Sequence, residues 1–265
     1  LTERSYSGGR EMINEDLPPG YAEIEELQEK LLEYTRNPYI GETLRNSINI
    51  LSDMIFLRSA HFIMELLQNA EDACMEINNT EGEFRIWVSK KRVKIEHNGK
   101  PFEYKDLIAI SGVRTSKKPE RGYLGYLGIG FKSVYKITDS PIIISGRYWF
   151  KFDKNYWKTQ KNISPDEIPW QIIPVPIYKH EITETIDPTK TTIILPLRSE
   201  DEYEKIKEEL ERIGPHVFLF LKYIRRVEII DEEEGTKRII EWSVSSRDVT
   251  ESGVEVKEIC VQDHT

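Results

Sequence analysis

Cysteine is nearly absent: Cys74 and Cys260 are the only two in 265 residues. They are far apart, which excludes a disulfide framework, and with no histidine cluster beside them they make no zinc site. His61, His97, His180, His216 and His264 are scattered, and none stands at ligand spacing. These features imply a reducing, cytoplasmic setting. Long apolar runs are also missing. The longest, Val217 to Leu221, suits a core and falls far short of the ~20 residues of a membrane span. The first twenty residues are polar and lack the apolar stretch of a secretory signal. The first residue is not Met, so the chain reads as a fragment or a trimmed product.

What is present describes a folded, acidic protein. Thirteen Tyr, nine Phe and five Trp make 10% of the chain, which excludes overall disorder. Acidic residues number 46 against 37 basic, for a net charge of −9. That balance argues against a free-standing nucleic-acid binder. Two local basic clusters remain: Arg85, Lys90, Lys91, Arg92 and Lys94, then Arg114, Lys117, Lys118 and Arg121. Both read first as solvated faces.

Periodicity organises the chain. Ile24, Leu27, Leu31 and Leu32 recur at helical spacing over 22–34, and Asn37-Pro38 ends that helix. Further helices are expected over 42–55, 59–77, 104–111 and 202–213, with another resuming near Phe131. Alternation over 84–88 and 93–95 predicts a hairpin around a basic turn. Strands are expected at 142–144, 148–150, 171–173 and 191–197, and 226–230 with 238–244 form a late hairpin. Strict βαβ alternation is missing, so the order favours an α+β layered sheet with helices on one face. Residues 1–41 read as an arm and helix, 42–200 as the main domain, and 201–265 as a helix and hairpin extension or the start of a following domain.

Three segments carry chemistry. On the third helix Glu65, Asn69 and Asp72 fall at i, i+4 and i+7, on one face. A carboxamide oxygen there suits a hydrated magnesium ion, and a carboxylate one turn away suits a water to be deprotonated. His97-Asn98-Gly99-Lys100-Pro101 directly follows a strand. The stretch from Gly122 to Ser133 is glycine-rich and opens a helix at Phe131, an arrangement that lets backbone amides approach a phosphate. It is not a Walker A loop, since the Gly-Lys-Ser/Thr spacing and the preceding strand are missing.

Taken in order, these segments resemble the GHKL superfamily of ATPases, closest in texture to sacsin-like, chaperone-related proteins. Glu65-Leu-Leu-Gln-Asn69-Ala-Glu-Asp72-Ala73 resembles the family's N box. His97-Asn-Gly99-Lys-Pro101 stands at its Asp-x-Gly-x-Gly box, Gly125 to Ser133 resembles its glycine box, and Thr191 to Leu197 its late Thr-bearing strand. The resemblance implies a two-layer sandwich of a mixed, mostly antiparallel sheet with helices on one face, the Bergerat fold, and ATP with Mg²⁺ as ligands. It implies Glu65 as the base, Asn69 as the metal ligand, and Asp72 as support for that end of the pocket. Gly99 would lie under the adenine and Thr191 near it. The glycine box, Gly125, Gly128, Ile129, Gly130 and Phe131, would meet the phosphates, with Lys132 nearby as a point charge. Thr115, Ser116 and Lys117 would begin a lid.

Two departures bear on the base. His97 stands where the family places Asp, so a neutral ring would have to accept the adenine amino proton, or Asn98 or Glu96 would substitute. Pro101 replaces the second Gly of that box. The implied activity is slow ATP hydrolysis coupled to lid closure, in a chaperone-like or remodelling protein. Its partners would be a protein client, neighbouring domains of a larger chain, or a second copy in a nucleotide-dependent homodimer. The alternatives are a nucleotide-gated module of a DNA-processing or defence protein, and an interaction module that has lost nucleotide affinity.

Overall fold

The computed structural model describes residues 16–55, 61–112, 130–214, 216–217, 220–249 and 255–264. It begins with three helices: α1 (Tyr21–Thr35), α2 (Pro38–Ile55) and α3 (His61–Glu76). The hairpin β1 (Gly82–Val88) and β2 (Arg92–His97) follows, then α4 (Tyr104–Ile110) and a 3-10 turn, Gly130–Lys136. After β3 (Ile142–Ser145) and β4 (Tyr148–Lys151) come α5 (Lys154–Gln160) and the short β5 (Val175–Pro176). The remaining elements are β6 (Thr191–Pro196), α6 (Glu200–Arg212), β7 (Ile224–Asp231), β8 (Thr236–Val249) and β9 (Glu255–His264).

The strands form a nine-stranded sheet in the order β5-β4-β3-β6-β2-β1-β7-β8-β9. Neighbours are antiparallel except β1 and β7, which run parallel in register, with Phe84 beside Val227 and Ile86 beside Ile229. The fold is the expected α+β class: a mixed, mostly antiparallel sheet with helices packed on it. Strand alternation explains the layering, since side chains two apart share a face. Phe84, Ile86 and Val88 of β1 and Val93 and Ile95 of β2 are buried. They join Phe62, Leu66 and Ala70 of α3 and Ile206 and Leu210 of α6 in one apolar cluster.

Several local expectations needed correction. The apolar run Gln171–Ile173 is not a strand; Trp170–Ile172 is a 3-10 turn. Pro169 precedes that turn and Pro174 follows it, so prolines without amide donors flank the run and it cannot lengthen into a ladder. The helix expected at Phe131 is a 3-10 turn that buries Phe131, Lys132, Val134 and Tyr135. Asn37-Pro38 ends α1 as expected, but α2 starts at Pro38 itself and not near 42, since at a first helical position a missing amide costs no hydrogen bond. The late strands β7, β8 and β9 extend the same sheet beyond β1.

A single row of side chains crosses four strands at one end of the sheet. Phe84 of β1 faces His97 of β2, His97 faces Thr191 of β6, and Thr191 faces Ser145 of β3. All four are buried.

Candidate functional site

The site lies where α3 crosses the ends of β2 and β6. Leu66, Asn69, Ala73 and Glu76 of α3 line one wall of a small cavity, at the 3–4 residue spacing of a single helical face. His97, Lys100, Pro101 and Phe102 line the opposite wall, and Asp106 and Ile193 complete it. The cavity holds about 40 Å³, room for a few ordered waters at most.

Glycine is required where the walls meet. At Gly99 a β-carbon would come within 2.7 Å of the Ala73 β-carbon and 2.9 Å of the Ala73 carbonyl carbon. The backbone here lies directly on α3, and Lys100 N–H donates to the Ala73 carbonyl at 3.0 Å. Gly99 therefore has a packing role against the helix. At Gly130 a β-carbon would overlap Oε2 of Glu65 and stand 3.0 Å from its carboxyl carbon. The 3-10 turn thus starts against the Glu65 carboxylate, which brings the first and third segments of the motif together.

Asn69 carries the most informative polar atom. Its Nδ2 is buried and has no hydrogen-bond partner, although Asn69 lines the cavity. An unpaired buried amide costs roughly 1–3 kcal/mol, an expense tolerated where a ligand or water completes the site. Asp72, one turn on, is buried.

His97 is 6% exposed. Burial lowers its pKa to about 4, so the ring is neutral at physiological pH. Its Nδ1 accepts the Gly99 N–H at 3.2 Å, which leaves the ring proton on Nε2. In this structure the lone-pair nitrogen is engaged by Gly99, and Nε2 is the ring nitrogen left to donate. Asn98 is engaged as well: its Oδ1 accepts the Glu83 N–H at 2.7 Å and its Nδ2 donates to the Glu81 carbonyl. Glu96 pairs with Lys94 at 2.8 Å and alternates to the other face of β2. Pro101 lies over the β3–β4 turn, against Gly146.

Thr191 is fully buried and its hydroxyl lies 2.6 Å from that of Ser145. Ser145 Oγ also accepts the Phe102 N–H at 2.9 Å. This relay pins the Lys100–Phe102 wall to β3 and β6. Sequence reasoning missed Ser145 and Asp106. The latter accepts the Glu103 N–H at 2.9 Å and starts α4 beneath the cavity; the signal was Glu103-x-x-Asp106, a capping-box spacing.

Two of the expected contact residues bury their side chains. Lys132 is 1% exposed. Its Nζ donates to the carbonyls of Ile110 at 2.6 Å and Gln171 at 3.0 Å, and burial lowers its pKa to about 7. Phe131 packs edge-on to Tyr135 and tilted on Phe152. Both side chains hold the turn in the core. Thr115, Ser116, Lys117, Gly125, Gly128 and Ile129 lie outside the described residues, as does the basic cluster Arg114 to Arg121.

Most of the other basic cluster is paired with carboxylates. Arg85 pairs with Glu83 at 3.0 Å and Glu228 at 3.4 Å. Arg92 pairs with Glu184 and Glu232, and Lys94 with Glu96 and Glu184. Such pairs leave little net field for a polyanion. Among the described residues no three His, Cys, Asp or Glu side chains are placed to hold a metal ion by themselves, and no helix is long and apolar enough to cross a membrane.

A family profile described as the Sacsin domain matches residues 93–242. The chain belongs to the Sacsin domain family. The match runs from β2 through β8 and so includes His97, the 3-10 turn and Thr191. Protein NO VEIN of Arabidopsis thaliana is 29% identical over 195 residues, covering 67% of this chain and 7% of that protein. Human Sacsin is 33% identical over 123 residues, covering 40% of this chain and 3% of that protein. The chain thus spans a small fraction of the length of the relatives it matches.

Proposed function

We propose that this sacsin-like domain is a GHKL-type nucleotide site that binds ATP with Mg²⁺ and hydrolyses it slowly. The observation that carries this is the orphaned Asn69 amide on the cavity wall, one turn from a Glu65 carboxylate that packs against Gly130. The residues fit the implied ligands. Asn69 would supply its Oδ1 as one neutral ligand to Mg²⁺ and its unpaired Nδ2 as a donor to a phosphate oxygen, with the nucleotide's phosphates completing the shell in place of a protein carboxylate cluster. The bound metal would neutralise phosphate charge. Glu65 would orient the attacking water and take its proton. His97 would donate from Nε2 to an acceptor nitrogen of the base. Gly130 leaves the backbone bare beside Glu65, where any side chain would block approach.

The cavity of about 40 Å³ is far below the roughly 300–1,000 Å³ of small-molecule sites. Admitting a nucleotide would therefore require the cavity to widen, a coupling of occupancy to conformation. In a chain that covers so little of its relatives, that motion would act on neighbouring domains, a protein client or a second copy. Calorimetry of ATP with and without Mg²⁺, followed by phosphate release, tests the proposal. Binding that depends on Mg²⁺ and on Asn69 supports it, and the lack of any binding up to millimolar ATP overturns it. The small cavity and the donor at His97 favour, as a second reading, an interaction module without nucleotide, for which that negative result is the expected one.

A further inference from the structure

Glu71 sits in the same turn of α3 as Asn69. Two residues span about 200° around a helix, so when Asn69 faces the cavity Glu71 points out of the opposite side. There its carboxylate is 3% exposed and receives successive backbone amides. Lys222 N–H donates to Oε1 at 2.6 Å, Tyr223 N–H to both oxygens at 3.0 and 3.1 Å, and Ile224 N–H to Oε2 at 2.8 Å. Three consecutive amides converging on an anion form a nest, and charge-assisted bonds of this kind are among the stronger ones.

The nest is the start of β7, and other bonds converge on it. Gly82 N–H donates to the Tyr223 carbonyl at 2.9 Å, joining β1. Trp242 Nε1 donates to the Ile224 carbonyl at 2.6 Å, joining β8, and the Arg225 guanidinium stacks on the Trp242 ring. A single side chain of α3 thus holds the point from which β7, β8 and β9 extend. Neither the motif nor the cavity accounts for this carboxylate.

We propose that Glu71 is a positioning residue that fixes the setting of α3, and with it Asn69, against the β7–β9 strands. Ligand binding at the cavity and the order of residues 222–224 are then linked. This rests on the nucleotide reading of the cavity. Linkage is reciprocal: whatever factor the ligand imposes on the nest, losing the nest imposes on ligand affinity.

The test uses the full chain, Glu71→Gln, and Asp231→Asn as a matched control. Asp231 anchors the far end of β7, accepting from Tyr203 OH and the amides of Glu233 and Glu234, and none of these partners lies on α3. A non-hydrolysable ATP analogue with Mg²⁺ is titrated by calorimetry, and amide exchange at 222–224 is followed with and without it. In the wild type the analogue should slow exchange at 222–224 by about fivefold or more. Glu71→Gln should weaken analogue binding by a similar factor, while Asp231→Asn lowers the melting temperature yet binds within about twofold of wild type. Wild-type protein that binds the analogue with unchanged exchange at 222–224 overturns the link and leaves the nucleotide reading standing. That measurement decides the matter even if Glu71→Gln fails to fold. Wild-type protein that binds no analogue overturns both, and calorimetry alone tells the two failures apart.

Discussion

The carboxylate of Glu65 occupies the space that a β-carbon at Gly130 would need. Two residues far apart in sequence are thereby held in contact at one end of the candidate site. Gly130→Ala should push the Glu65 carboxylate, a flexible chain end, out of its place at a cost of about 1 kcal/mol or less. Shortening its neighbour should recover much of that loss. A denaturation double-mutant cycle with Glu65→Ala checks the relationship; strict additivity would show that the two do not touch.

Glu65→Ala by itself should leave ATP affinity nearly intact and reduce phosphate release by about 10²–10⁴-fold, the contribution of a positioned base. Asn69→Ala should instead remove the Mg²⁺-dependent part of the affinity. Equal affinity with and without Mg²⁺ in wild type and Asn69→Ala alike would dismiss the metal role.

The burial of His97 sets a direction for pH dependence. Its folded pKa of about 4 lies below the ~6.5 of an unfolded histidine. The unfolded chain therefore binds the extra proton first. Stability from this group is whole above about pH 6.5 and falls as pH drops toward 4, at about 1.4 kcal/mol per unit. Between pH 7.5 and 5.5 the folded ring stays neutral, so its contribution to ATP affinity should be flat. Urea denaturation of wild type and His97→Asn across pH 7.5 to 4 checks this: the difference in stability should shrink as pH falls.

Lys132 behaves in the same sense at higher pH. Its folded pKa of about 7 lies below the ~10.4 of a free lysine, so its contribution is whole above that value and declines as pH falls toward 7. Relative to Lys132→Met, wild type should lose stability steadily from pH 10 to pH 7. A constant difference over that range would mean that the ammonium is charged in the core throughout.

Ser145→Ala removes the acceptor for the Phe102 N–H and the partner of Thr191. Leaving those groups unpaired should cost about 1–3 kcal/mol. Exchange of the Phe102 amide, read by NMR, should quicken more than that of Ile95 in the middle of β2.

Elements whose logic is local were legible in the sequence. The alternation of Phe84, Ile86 and Val88 announced β1, and Phe62, Leu66 and Ala70 announced the buried stripe of α3. Gln171-Ile172-Ile173 misled, because paired isoleucines suit a strand until the flanking Pro169 and Pro174 are weighed. The helix α5 was missed: it is seven residues long and buries only Trp157, and its one signal was the Asp153 cap, which accepts from Asn155 and Tyr156 amides. At the site, Glu65, Asn69 and Asp72 announced themselves by spacing and His97 by its place in the resembled box, whereas Glu71 looked like one more charge on a helix. Its partners lie about 150 residues further on, where no local pattern points back. The chemistry of His97 was equally hidden, since the direction of its hydrogen bond depends on how the chain turns at Gly99.

The parallel pairing of β1 with β7 bears on where this protein can be cut. A chain trimmed after residue 200, at the boundary suggested by the motifs, would lose α6 and the strand that lies along Phe84 and Ile86. The middle of the sheet would become a rim, with a row of unpaired amides and carbonyls on a long apolar strand. Such rims recruit other strands. The trimmed product should therefore self-associate or remain insoluble.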